Sequence, residues 1–123
     1  DIDLSVTMQT STGDPHVISR TNYATMYYSA SQQLAHHASS GCAMTTGDLL
    51  GSGTISGATK DAFGSLLEIT WGGEEPITLG DEARTFIEDG DTLTLHGHAQ
   101  GDGYRVGFGE CSGTILPAVD FPT

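Results

Sequence analysis

From Ile2 to Met8 apolar and polar residues alternate: Ile2, Leu4, Val6 and Met8 fall on one side, Asp3, Ser5 and Thr7 on the other. That period of two predicts a half-buried strand. Ser11-Thr12-Gly13-Asp14-Pro15 carries turn chemistry, and His16 to Arg20 is expected to return as the second strand of a hairpin. Thr21 or Asn22 then suits an N-cap, and the period changes. Tyr23, Met26, Tyr27, Ala30, Leu34 and Ala38 recur at helical spacing as far as Ser40. This predicts one amphipathic helix over about residues 22–40, closed by Gly41.

Beyond the helix the period returns to two. Ser65 to Trp71 reads as a strand, with Ser65, Leu67, Ile69 and Trp71 on one face and Leu66, Glu68 and Thr70 on the other. Short strands are expected at Ile77–Leu79 and Arg84–Ile87, then at Thr92–His98 with Leu93 and Leu95 inward, at Tyr104–Phe108 and at Thr114–Leu116. Turn signals separate them: Gly72-Gly73-Glu74-Glu75-Pro76, Asp89-Gly90-Asp91 and Gln100-Gly101-Asp102-Gly103. The fold class is therefore mainly β, a roll, sandwich or barrel-like core with one helix. The 123 residues suffice for one domain with a modest core.

Glu68 interrupts this pattern. Glutamate is a poor strand former, and a carboxylate on an otherwise apolar strand needs water or a partner. On pattern alone the ordinary reading is a solvated face made of Leu66, Glu68 and Thr70.

Composition narrows the function classes. The formal net charge is −12, with 4 Lys and Arg against 16 Asp and Glu. Nucleic acid and anionic membrane are excluded as partners, because both need clustered cations. So acidic a chain suggests salt adaptation, and it repels a small anionic substrate unless cations or a metal offset the charge. Hydrophobic content is only 37%, which suggests a core completed from elsewhere. Cys42 and Cys111 show no paired spacing, so free, buried thiols in a reducing compartment are expected. No apolar run approaches the roughly 20 residues of a membrane span, and no signal peptide is evident.

Candidate chemistry is sparse. His36 and His37 are adjacent on the helix and point about 100° apart, so a shared ligand is disfavoured against a role at the helix end. His96 and His98 share a strand face, which could bind zinc beside Asp102, but two nitrogens without cysteine make a weak site. Gly51-Ser52-Gly53-Thr54-Ile55-Ser56-Gly57 is neither a P-loop nor a dinucleotide fingerprint. Its glycines either let the backbone approach a ligand, with Thr54 offering a hydroxyl and an N–H, or form a plain β-bend. No serine sits in a nucleophile elbow, which disfavours a Ser-His-Asp hydrolase.

The combination is more specific than its parts. Ser19-Arg20-Thr21-Asn22, Gln32-Gln33-Leu34-Ala35-His36-His37, Gly47-Asp48-Leu49-Leu50, Ser52 to Gly57, Phe63-Gly64-Ser65, Leu67-Glu68 and Gln100 to Gly109 occur in that order. Together they closely resemble the fumarylacetoacetase family over nearly the whole chain. The resemblance implies that residues 1–123 are a single partial domain, the C-terminal portion of a catalytic domain of mixed β-roll type, with the metal-binding portion upstream. It implies a hydrolase that cleaves a carbon–carbon bond of 4-fumarylacetoacetate to fumarate and acetoacetate, the last step of tyrosine and phenylalanine degradation. It further implies Ca²⁺ or Mg²⁺ in the whole enzyme, a homodimer and a cytoplasmic location.

Carried over residue by residue, Glu68 matches a glutamate that orients a catalytic histidine, and Thr54 matches a substrate-binding threonine. The family's catalytic histidine, metal carboxylates and oxyanion-stabilising cations have no match here, and His36, His37, His96 and His98 are not that histidine. No metal is expected on this portion alone, nor turnover. A related hydrolase of another diketo acid and a non-catalytic β-rich binding module are the alternatives.

Overall fold

A computed structural model describes residues 1–120. Its strands are β1 (Ile2–Gln9), β2 (His16–Asn22), β3 (Ile77–Leu79), β4 (Glu82–Arg84), β5 (Thr92–Gln100) and β6 (Arg105–Thr114). Two helices accompany them, α1 (Ala30–Ser39) and α2 (Leu66–Ile69), with single 3₁₀ turns at Tyr23–Thr25 and Lys60–Ala62. Four strands form one sheet in the order β2-β1-β5-β6, and β3 and β4 form a separate ribbon. All these pairings are antiparallel, so the mainly-β expectation holds.

Alternation builds the sheet. Register places Asp3 opposite Asn22 and His98, and Ser5 opposite Arg20 and His96. This side is polar apart from Val17, which lies opposite Thr7. Asn22 donates to Asp3 at 2.8 Å, Thr92 and Thr114 lie 2.7 Å apart, and Thr94 and Ser112 lie 2.9 Å apart. The other side carries Leu4, Val6, Met8, Leu93 and Leu95. Only Met8 of that row is fully buried. Leu95 keeps half its surface exposed, Phe108 more than half, and every residue of β6 is exposed. Leu95 is thus not inward, because nothing among the described residues covers the β5–β6 end of this face.

Several predicted bounds shift. β6 runs unbroken where two strands were expected. It absorbs one extra residue in a bulge, since His96 pairs with Glu110 but His98 with Gly107. The strand expected at Arg84–Ile87 ends at Arg84. There Arg84 turns into an ion pair with Asp91, and the Asp91 carboxylate accepts the backbone N–H of Glu88. Cys42 and Cys111 are exposed rather than buried, Cys111 because it lies on the uncovered end of the sheet.

The helix expected over 22–40 divides. Asn22 caps only the 3₁₀ turn, accepting from the backbone N–H of Ala24. The α-helix starts seven residues later at Ser29, where a capping box forms: the Gln32 N–H donates to Ser29 Oγ, and the Ser29 N–H to Gln32 Oε1. Gly41 follows the helix in the left-handed region, as expected. The apolar stripe does not meet a core: α1 has no buried residue, and Leu34, Tyr27 and Leu49 are exposed.

Candidate functional site

The stretch from Ser65 to Trp71 is not a strand. Ser65 caps a single helical turn, α2, by accepting the Glu68 N–H at 3.3 Å. Ile69 and the next residue, Thr70, are both buried, and the Thr70 N–H closes the helical turn on the Leu66 carbonyl at 2.8 Å. Thr70 is therefore no part of a solvated face: its hydroxyl donates to the Leu66 carbonyl and accepts the Gly73 N–H. The signal was local. Ser65 followed three residues on by Glu68 has the spacing of a helix start, and the longer alternation masked it.

Glu68 consequently points away from any ladder and into a ring of hydroxyls. Ser56 Oγ lies 2.9 Å from Glu68 Oε1 and 2.8 Å from Oε2, and Ser65 Oγ donates to Oε2 at 2.9 Å. The Ser56 hydroxyl, and then that of Ser65, holds the carboxyl below its ordinary range, against the opposing effect of partial burial. Hydroxyl donors favour the ionised form because only the anion accepts from all of them. The residue is half-buried, so its charge has the partners that an acid on an apolar strand would have lacked.

The Gly-rich segment supplies Ser56. It has no regular structure, and it runs over the Phe63–Gly64 backbone at close range. A Cβ on Gly64 would stand 2.5 Å from the Ile55 carbonyl oxygen and 2.6 Å from Thr54 Cγ2, so only glycine fits. The Gly64 N–H also donates to Ser56 Oγ at 3.1 Å. On its other side this backbone is tied to the sheet: Ser19 of β2 donates to the Phe63 carbonyl at 2.7 Å. Thr54 thus rests against Gly64, two residues from the serine that binds Glu68, and it is exposed. The structure brings the two sequence-derived site residues, Thr54 and Glu68, onto one small framework. Ser56 and Ser65 join them there without having been singled out.

The histidines stay apart from this framework. His36 and His37 lie exposed in the last turn of α1. They line an open groove of about 880 Å³ between α1 and Leu49–Leu50, to which neither Thr54 nor Glu68 contributes. His98 lies 3.2 Å from Asp3, and His96 lies 3.8 Å from Glu110. Each thus sits beside a different carboxylate. Among the described residues no group of three or more His, Cys, Asp or Glu could hold a metal ion. None of the helices described is long and apolar enough to cross a membrane.

The comparisons with known proteins agree with the motifs. The family model described as fumarylacetoacetate (FAA) hydrolase C-terminal matches residues 1–116. A fumarylacetoacetase of Aspergillus fumigatus is 54% identical over 97% of this chain, and that of Dictyostelium discoideum is 51% identical over 96%. The human fumarylacetoacetase is 47% identical over 97%. The chain spans 28–29% of the length of these curated relatives.

Proposed function

The chain belongs to the fumarylacetoacetate hydrolase C-terminal family, and from that premise we propose that it is the C-terminal portion of the catalytic domain of a fumarylacetoacetase. The whole enzyme would hydrolyse a carbon–carbon bond of 4-fumarylacetoacetate, releasing fumarate and acetoacetate in tyrosine and phenylalanine breakdown. It would act as a cytoplasmic homodimer with Ca²⁺ or Mg²⁺. Among the described residues no group of three or more His, Cys, Asp or Glu could hold such an ion; this chain's own contribution would be made through Glu68 and Thr54.

The observation that carries the reading is the ionised, hydroxyl-bound carboxylate of Glu68. A carboxylate that stays charged at neutral pH can accept an imidazole N–H, fix that ring's tautomer and stabilise its protonated form. The histidine would come from a part of the enzyme outside these residues. It would take a proton from water as the water attacks the substrate carbonyl. Thr54, exposed beside Gly64, would offer its hydroxyl to a substrate oxygen.

In the full-length enzyme Glu68→Gln keeps the shape and removes the charge. We expect kcat to fall by about 10²-fold or more, the size expected when a catalytic base loses its orienting group. Turnover close to that of the unaltered enzyme, measured with saturating substrate, would overturn the role.

A further inference from the structure

Neither serine that touches Glu68 is free to turn its hydroxyl elsewhere. The Gly64 N–H donates to Ser56 Oγ, and the Glu68 N–H donates to Ser65 Oγ. Each serine oxygen accepts a backbone N–H there, and its single proton is directed at the carboxylate. The two protons are unevenly placed. Oε2 lies within reach of both serines, whereas Oε1 lies within reach of Ser56 alone. The backbone N–H groups of Gly64 and Ser65 also bear on the carboxylate, and of its two oxygens Oε1 has the fewer side-chain donors.

From this arrangement we infer that Ser56 and Ser65 are positioning residues, which fix the orientation of the Glu68 carboxylate and leave Oε1 for an incoming N–H donor. The inference deepens the role proposed above for Glu68 and rests on it. Ser56 is the more informative of the two, because Ser65 also caps α2 and its loss would disturb the helix. Ser56 reaches both carboxylate oxygens from across the Gly-rich segment, and Gly64 is what lets that segment come close enough. The device therefore links the substrate-facing segment to the carboxylate through one hydroxyl.

The test is a double-mutant cycle in the full-length enzyme, with Ser56→Ala made alone and in a Glu68→Gln background. We expect Ser56→Ala alone to lower kcat about tenfold with KM little changed, the size of one hydrogen bond to a charged group. In the Glu68→Gln background the same change is expected to cost less than about twofold, since nothing is left for it to position. An equal cost in both backgrounds would make Ser56 a structural residue and overturn the inference, as would unaltered kcat in the single variant. Glu68→Gln with normal turnover would instead remove the role of Glu68 itself, a separately visible failure.

Discussion

Asp91 has no exposed surface and sits at the entrance to β5. Its carboxylate accepts from Arg84 Nε at 3.0 Å and from the Glu88 N–H at 2.9 Å. Arg84, only 10% exposed, donates as well to Glu82 at 2.9 Å, and Glu82 accepts from Thr10 and Thr12 at the far end of β1. Asp91 first, then Glu82, holds the guanidinium charged more firmly than usual, against partial desolvation. The cluster ties the β3–β4 ribbon to the main sheet and is structural. Removing one partner of a buried pair strands the other, so Asp91→Ala is expected to cost about 3 kcal/mol in denaturant unfolding; a loss under about 1 kcal/mol would show that the pair is dispensable. The sequence marked Asp91 only as a turn residue, because the partner that buries it arrives from another strand.

At α2 local chemistry outweighed periodicity. A single helical turn has almost no intrinsic stability, so its ends decide it. Ser65 supplies the start. The end is unusual: Trp71 has φ +50, a left-handed conformation in a bulky residue, and the Gly72 N–H returns to the Leu67 carbonyl at 2.8 Å. Left-handed backbone costs a residue with Cβ roughly 1–2 kcal/mol, and the Trp71 ring, 70% exposed, recovers little of that within these residues. Trp71→Gly is therefore expected to raise the thermal midpoint. A lowered midpoint would mean that the ring is buried against something outside the described residues.

The same competition between caps and period explains α1. Ser29-x-x-Gln32 is as plain a start signal as Ser65-x-x-Glu68, yet apolar spacing extended the expected helix back to Tyr23. Where the stripe meets no core, period has no energy behind it, and the cap sets the boundary.

For the molecule as a whole the surface is the informative quantity. The accessible area is 8846 Å², whereas a compact monomer of this mass exposes about 6,300 Å². Met8, Ile69 and Leu79 are the buried apolar side chains among the described residues. That agrees with the low hydrophobic content and with a chain spanning under a third of its relatives' length. Its net charge of −12 adds self-repulsion that compaction must overcome. Added salt screens such repulsion, with a Debye length of about 10 Å at 0.1 M. The thermal midpoint is expected to rise between low salt and about 1 M NaCl, where that length falls to about 3 Å; a flat or falling curve would mean that the acidic surface carries no such penalty.

The sequence by itself determined the mainly-β class, the first hairpin and the family, but not every strand. Alternation, turn residues and ordered motifs are properties of neighbours along the chain. From the family it also determined which acid and which threonine to watch. What it could not determine is what surrounds them. That Glu68 stands at the third position of a helical turn was written locally, in the Ser65 cap, under a misleading alternation; tertiary structure decided what the carboxylate meets. It decided that Ser56 crosses to meet the carboxylate, and that Gly64 must lack a side chain for it to do so. Those contacts join residues up to twelve positions apart through a segment of irregular backbone. No periodicity encodes such a crossing; it is built on the Phe63–Gly64 backbone, which the sheet holds through Ser19.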